Sequence, residues 1–119
     1  MRIGKALRVR SKLEWRRWLA QHHKDRKEVW LVFYKKSSRK TMVTYDDAVE
    51  EALCYGWIDG QTRGIDEEKY ALRFTPRREK SVWSKSNKAR ALKMLLDGKM
   101  TQAGKALLPA QILKSGKDS

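Results

Sequence analysis

With 119 residues the chain has room for one compact domain and a single core, and too little for two. A 40% hydrophobic content supports that core, so the 35% of charged residues describes a solvated shell and excludes a disordered chain. The net charge of +14, from 28 basic and 14 acidic residues, favours polyanionic or phosphorylated partners.

The charge is segregated along the chain. Residues 1–40 carry +11, residues 41–72 carry −6 and residues 73–119 carry +9. No apolar run approaches the length that spans a bilayer. Basic residues near the N-terminus are followed by no apolar stretch, so no secretory signal is read there. The lone cysteine, Cys54, excludes an internal disulfide and suits a reducing compartment, and the expected location is cytoplasmic. Its place in the helical pattern "AVEEALCYG" makes it a buried thiol.

Residues 1–10 are expected to fray. The capping box Ser11-Lys-Leu-Glu14 then opens a helix over 12–23, with Trp15, Trp18, Leu19 and His22 on one face. "EVWLVFYKK", residues 28–36, is β-branched and aromatic on both faces and reads as a central strand. "SSRKTM" is a connection. Thr44 caps a second helix, with Asp46 and Asp47 at its positive end, Ala48, Val49, Ala52 and Leu53 as its buried stripe and Gly56 as its stop. "WIDGQTR" and "KYALRFT" form a strand pair, 57–63 and 69–75, across the turn "GIDEE", and Pro76 stops the second strand.

Ser84 caps a third helix over 85–97, whose apolar face is Ala89, Leu92, Leu95 and Leu96. A last segment over 102–114 carries Pro109 as a kink or early turn, and residues 115–119 fray. The order α-β-α-β-β-α-α predicts one small α+β domain: a short antiparallel sheet of about three strands packed by about four helices.

The stretch "FTPRREKSVWSKSN" concentrates the chemistry. Eight basic residues and one acidic residue lie between 73 and 93. The first backbone amides of the Ser84 helix lack helical partners and lie at its positive end. Guanidinium forks match phosphate or carboxylate. Arg77, Arg78, Ser81, Ser84, Lys85 and Asn87 are therefore the candidate anion-binding residues. Solvated arginines beside a plain helix cap are the bland alternative.

In "YGWIDG", pairing of the two strands would lay the strand that carries Asp59 and Arg63 beside Arg73. That carboxylate is a general base, a hydroxyl-binding group or an internal counterion. Trp57 and Trp83 are the tryptophans placed to wall a pocket. His22 and His23 have no Cys/His partner set, so no metal site is expected. No glycine-rich phosphate loop or catalytic triad is present, and no cofactor is expected.

Three functions remain open. The favoured one is a non-enzymatic binding domain for a phosphate-bearing or other anionic ligand. The second is nucleic-acid binding through the basic face, and the third an enzyme that uses Asp59 on a phosphorylated or sugar-like substrate.

"EVWLVFYKK", "ALCYGWIDG", "FTPRREKSVWSKSNKAR" and "QAGKALL" together resemble the YdeI/OmpD-associated family of bacterial proteins, also called bacteriocin-protection-like, over about residues 15–108. The resemblance implies the same small α+β fold and an association with tolerance of cationic antimicrobial peptides and with an outer-membrane porin. It implies no reaction and no catalytic residue. Its motif positions include Trp57, Asp59, Gly60, Thr75, Pro76, Arg77, Arg78, Ser81, Trp83, Ser84 and Asn87. The Lys- and Arg-rich helical segment frequent at the C-terminal end of that family has no counterpart within these residues.

Overall fold

The structure, a computed structural model, describes residues 6–35 and 43–117. Among the described residues the order is α1 (Lys12–His22), β1 (Val29–Tyr34), α2 (Tyr45–Cys54), β2 (Trp57–Gly64), β3 (Lys69–Pro76), α3 (Lys85–Leu96), α4 (Gln102–Lys105) and α5 (Ala110–Lys117). The three strands form one antiparallel sheet and the fold class is α+β. The expected connection at 37–42 lies outside the described residues.

Local signals set the helix starts. Ser11, Thr44 and Ser84 are extended N-caps whose hydroxyls accept from the amides of Glu14, Asp47 and Asn87. Glu14 reaches back to the amide of Arg10 at 3.1 Å, one residue before the cap. Tertiary packing decides which faces are buried. Trp15 and Leu19 of α1 are fully buried, and the Trp15 indole N–H donates to the Ala48 carbonyl of α2 at 3.0 Å. Trp15 packs against Trp18 and Phe74, and Trp18 meets Trp57 edge-on at 5.8 Å, so one aromatic cluster joins α1 to the sheet. Full burial of each such side chain contributes on the order of 1.5–3 kcal/mol.

The strand order is β1-β3-β2, so β1 is an outer strand and β3 the central one, a correction to the sequence reading. Residues 6–10, expected to fray, are held instead. Leu7 forms a parallel bridge with Leu31, donating to the Trp30 carbonyl and accepting from the Val32 amide, and Val9 is buried. The outer edge of β1 is thereby partly paired, which fits its both-face apolar character without central placement.

The C-terminal part also differs from expectation. The buried residues of α3 are Ala91 and Met94, with Leu95 packed at the margin, while Leu96 is 51% exposed and Ala89 is exposed. The break expected at Pro109 is present and divides the 102–114 segment into two helices, α4 and α5, but α5 continues to Lys117, through part of the stretch expected to fray. Among the described residues no helix is long and apolar enough to cross a membrane.

The end of α2 anchors both β3 and α4. Gly56, at φ +75°, turns the chain from α2 into β2. Its carbonyl accepts from the Arg77 amide at 2.7 Å, which fixes the exit of β3. The Cys54 carbonyl accepts from both the amide and the hydroxyl of Thr101, which fixes the start of α4. Two separate chain segments thus hang from residues 54–56.

Candidate functional site

Pro76 is the last β3 residue and pairs with Trp57. Arg77 comes next with its side chain turned inward, and only 9% of the residue is exposed. Its guanidinium carbon lies 3.8 Å from the centre of the Trp83 ring, a close cation–π stack. Nη2 donates to the Val82 carbonyl at 2.6 Å. Among the described residues the buried Nε–H has no acceptor, and the buried Ser81 hydroxyl oxygen has no partner.

Burial pulls the Arg77 guanidinium pKa down, and the charge of Asp59 opposes that shift. Even so, among the described residues no carboxylate lies within ion-pair distance of Arg77. A buried cation without a counterion is costly, and protein interiors seldom leave one so. Lys80 has a positive φ of 59°, the one non-glycine residue in that region among the described residues, and the Val82 side chain beyond it is 94% exposed.

Two hollows flank this turn. The first, of about 320 Å³, is lined by Ile58, Thr75, Pro76, Arg77, Arg78, Ser81 and Val82. The second, of about 460 Å³, is lined by Glu79, Lys80, Ser81, Trp83, Ala106, Leu107, Leu108 and Pro109. Ser81 borders both.

Of the residues expected at the site, Arg77, Arg78, Ser81 and Trp83 come together here. Ser84, Lys85 and Asn87 open α3 but line neither hollow. The Ser84 hydroxyl already satisfies the Asn87 amide, and the Asn87 side chain accepts from Arg90, which also binds Asp46 at 2.6 Å. The first amides of α3 and the arginine turn therefore do not share a hollow.

Trp57, 1% exposed, is a core residue against Trp18 and not a pocket wall. Arg73 binds Glu28 through Nε and Nη2 at 3.0 and 2.7 Å, on the β1 side of β3, and Asp59 sits opposite Phe74. The strand that carries Asp59 pairs with β3 beside Arg73 as expected, but among the described residues Asp59 and Arg73 form no ion pair. Asp59 instead accepts from the Tyr45 hydroxyl at 2.8 Å. Burial, with that hydrogen bond, pushes the Tyr45 pKa up to about 12.

Sequence reasoning missed the Val82 carbonyl and Ile58 as neighbours of the arginines, and the whole 106–109 wall. Pro109 signalled a break in the chain there, but nothing local signals which surface the break faces.

Among the described residues no group of three His, Cys, Asp or Glu side chains could hold a metal ion. His22 packs tilted against Trp18 with ring centres 5.1 Å apart, and the His23 ring hydrogen-bonds the Leu19 carbonyl, so both histidines make contacts within α1 and its cap. Burial pushes the Cys54 thiol up to about 11, well away from a reactive thiolate.

A family model described as Domain of unknown function (DUF8412) matches residues 7–107. The chain belongs to this family. The DUF8412 match runs from the Leu7 bridge through α4 and ends at Leu107, within the wall of the second hollow. No curated protein and no solved structure matches the chain. The DUF8412 description assigns no activity, so the chemistry of the site has to be argued from its own residues.

Proposed function

We propose that the protein is a non-enzymatic binding domain that holds a small phosphate-bearing or similar anion at Arg77, Arg78 and Ser81. The observation that carries this reading is the buried Arg77 guanidinium, which among the described residues has no carboxylate partner and an unused Nε donor, in a residue that lines the first hollow. An incoming anion would neutralise that charge and accept from donors now idle, each such charge-assisted bond being worth roughly 1.5–3 kcal/mol. The Val82 carbonyl occupies one arm of the fork in the meantime. Ser81, Thr75 and the exposed Arg78 line the same hollow and carry the further donors that an anion there would recruit.

A cytoplasmic location goes with this reading, since a reducing environment suits a single unpaired thiol. The resemblance to the YdeI/OmpD-associated family enters the proposal through the arginine-turn motif, with the antimicrobial-tolerance role held apart from it.

Calorimetric titration with inorganic phosphate tests the reading. The parent should bind, the exposed-site variant Arg78→Ala should bind at least about tenfold more weakly, and the double variant with Arg77→Ala should not bind. Equal affinity of Arg78→Ala and the parent would defeat it, whether or not the double variant folds.

Nucleic acid held by the wider basic face is the competing reading, motivated by the +14 charge and by the absence of acidic residues in the first turn of α3. A gel-shift series separates the two. Retention of long oligonucleotides at physiological salt, falling steeply as salt rises, would favour nucleic acid over the small-anion site.

A further inference from the structure

We infer that the anion site is one half of a two-part pocket whose ligand joins a single phosphate or similar anion to a flat apolar group such as an aromatic ring. The inference rests on the anion reading above and adds the rest of the ligand.

Ser81 is the first link. It borders both hollows, and its hydroxyl oxygen is buried with no hydrogen-bond partner among the described residues. Trp83 is the second. Arg77 covers one part of the indole at 3.8 Å, and the ring also lines the second hollow, which Arg77 does not reach. One stacked Arg–Trp unit therefore offers a cation to the first hollow and an aromatic surface to the second. Guanidinium–indole stacking fixes both planes before any ligand arrives, which limits the ordering cost of binding.

The opposite wall is apolar, built from Ala106, Leu107, Leu108 and Pro109. Glu79 and Lys80 at its edge carry opposite charges, so the second hollow has no net charge of its own to draw a second anion. At about 460 and 320 Å³ the two hollows each lie within the roughly 300–1,000 Å³ typical of small-molecule sites.

The two walls are also tied to one anchor. Arg77 is fixed to the Gly56 carbonyl, and Thr101, which caps α4, is fixed to the Cys54 carbonyl. The Leu107 side chain packs so closely on Gly56 that a β-carbon there would lie 2.9 Å from it. A free inorganic anion would leave the apolar wall in water, and a neutral aromatic would leave Arg77 without a counterion. A molecule carrying both groups satisfies both.

Phenyl phosphate and inorganic phosphate are the probes, followed by calorimetry and by the indole N–H resonance of Trp83. The variant Ala106→Gln fills the second hollow from an exposed position and does not touch the first. The expected result is that phenyl phosphate binds at least about tenfold tighter than inorganic phosphate, shifts the Trp83 resonance, and loses its advantage in Ala106→Gln, while phosphate affinity is retained. Equal affinity for the two probes would overturn the two-part pocket and leave the anion site standing. An advantage that survives in a folded Ala106→Gln would overturn it as well. If neither probe binds, the anion reading fails and this inference fails with it.

Discussion

Gly104→Ala replaces one hydrogen by a methyl group at the closest approach between α4 and the end of α2. The added β-carbon would meet the Cys54 carbonyl oxygen well inside contact distance, and would lie 2.7 Å from both the Cys54 carbonyl carbon and the Leu53 carbonyl oxygen. These neighbours are backbone atoms at the end of a buried helix, so none can swing aside as a long side chain would. Alanine would gain up to about 1 kcal/mol in helix propensity over glycine. Overpacking costs typically 1–3 kcal/mol and should reach or exceed the upper end here, because α4 must move bodily. The net loss is about 2 kcal/mol, or a fall in Tm of roughly 6–10 °C for a domain of this size.

Paired thermal and urea unfolding of Gly104→Ala measures the loss. Gly64→Ala is the control, since a β-carbon there meets nothing within 4 Å. It should leave stability unchanged to within about 0.5 kcal/mol. Because α4 leads directly into the 106–109 wall, Gly104→Ala should also weaken phenyl phosphate binding more than inorganic phosphate binding. A Gly104→Ala variant as stable as the parent would refute the close α4–α2 approach on which the position of that wall depends.

Two further outcomes concern buried polar groups. Cys54 should resist alkylation at pH 8–9 in the folded protein and react fully once unfolded, because burial raises its pKa to about 11 from an ordinary 9. Between those values the unfolded chain releases the proton first, so this thiol's contribution to stability is lost as pH rises from 9 through 11; rapid alkylation of the native protein at pH 8 would contradict its burial. Arg16→Ala should cost about 2–3 kcal/mol in urea unfolding, since it strands the buried Glu51 carboxylate that Arg16 binds at 2.7 Å, together with the Lys99 carbonyl. A loss under about 0.5 kcal/mol would show that this pair is a surface one in energetic terms.

What the sequence made legible was short-range. Ser11, Thr44 and Ser84 each announce a helix because a hydroxyl three residues before an amide is a local geometry that no distant contact needs to supply. Gly56 and the turn between β2 and β3 are legible for the same reason. The position of β1 was not, because burial on both faces is common to central strands and to an outer strand whose edge is partly paired, here by Leu7. The face of α3 was misread because its leucines fit the helical period as well as Ala91 and Met94 do, and only the packing surface chooses between them.

At the candidate site, the density of charge around 73–93 pointed to the turn after β3 but not to the orientation of its side chains. Arg73 answers Glu28 across a strand boundary, and Trp57 answers Trp18 from α1. Both partners are distant in sequence, so neither assignment was available locally. The stacking of Arg77 on Trp83 depends on a turn with a left-handed Lys80, a conformation no residue type there advertises.

The most direct measurement is the Arg77 Nε–H resonance in a ¹H–¹⁵N spectrum during addition of inorganic phosphate. A saturable shift of that signal is expected, shared by the Ser81 and Val82 amides, as the idle donor acquires an acceptor and the Val82 carbonyl gives up its place. A signal that stays fixed while phosphate rises to tens of millimolar, beyond the weak end of about 1 mM expected for a few charge-assisted bonds, would contradict the anion site.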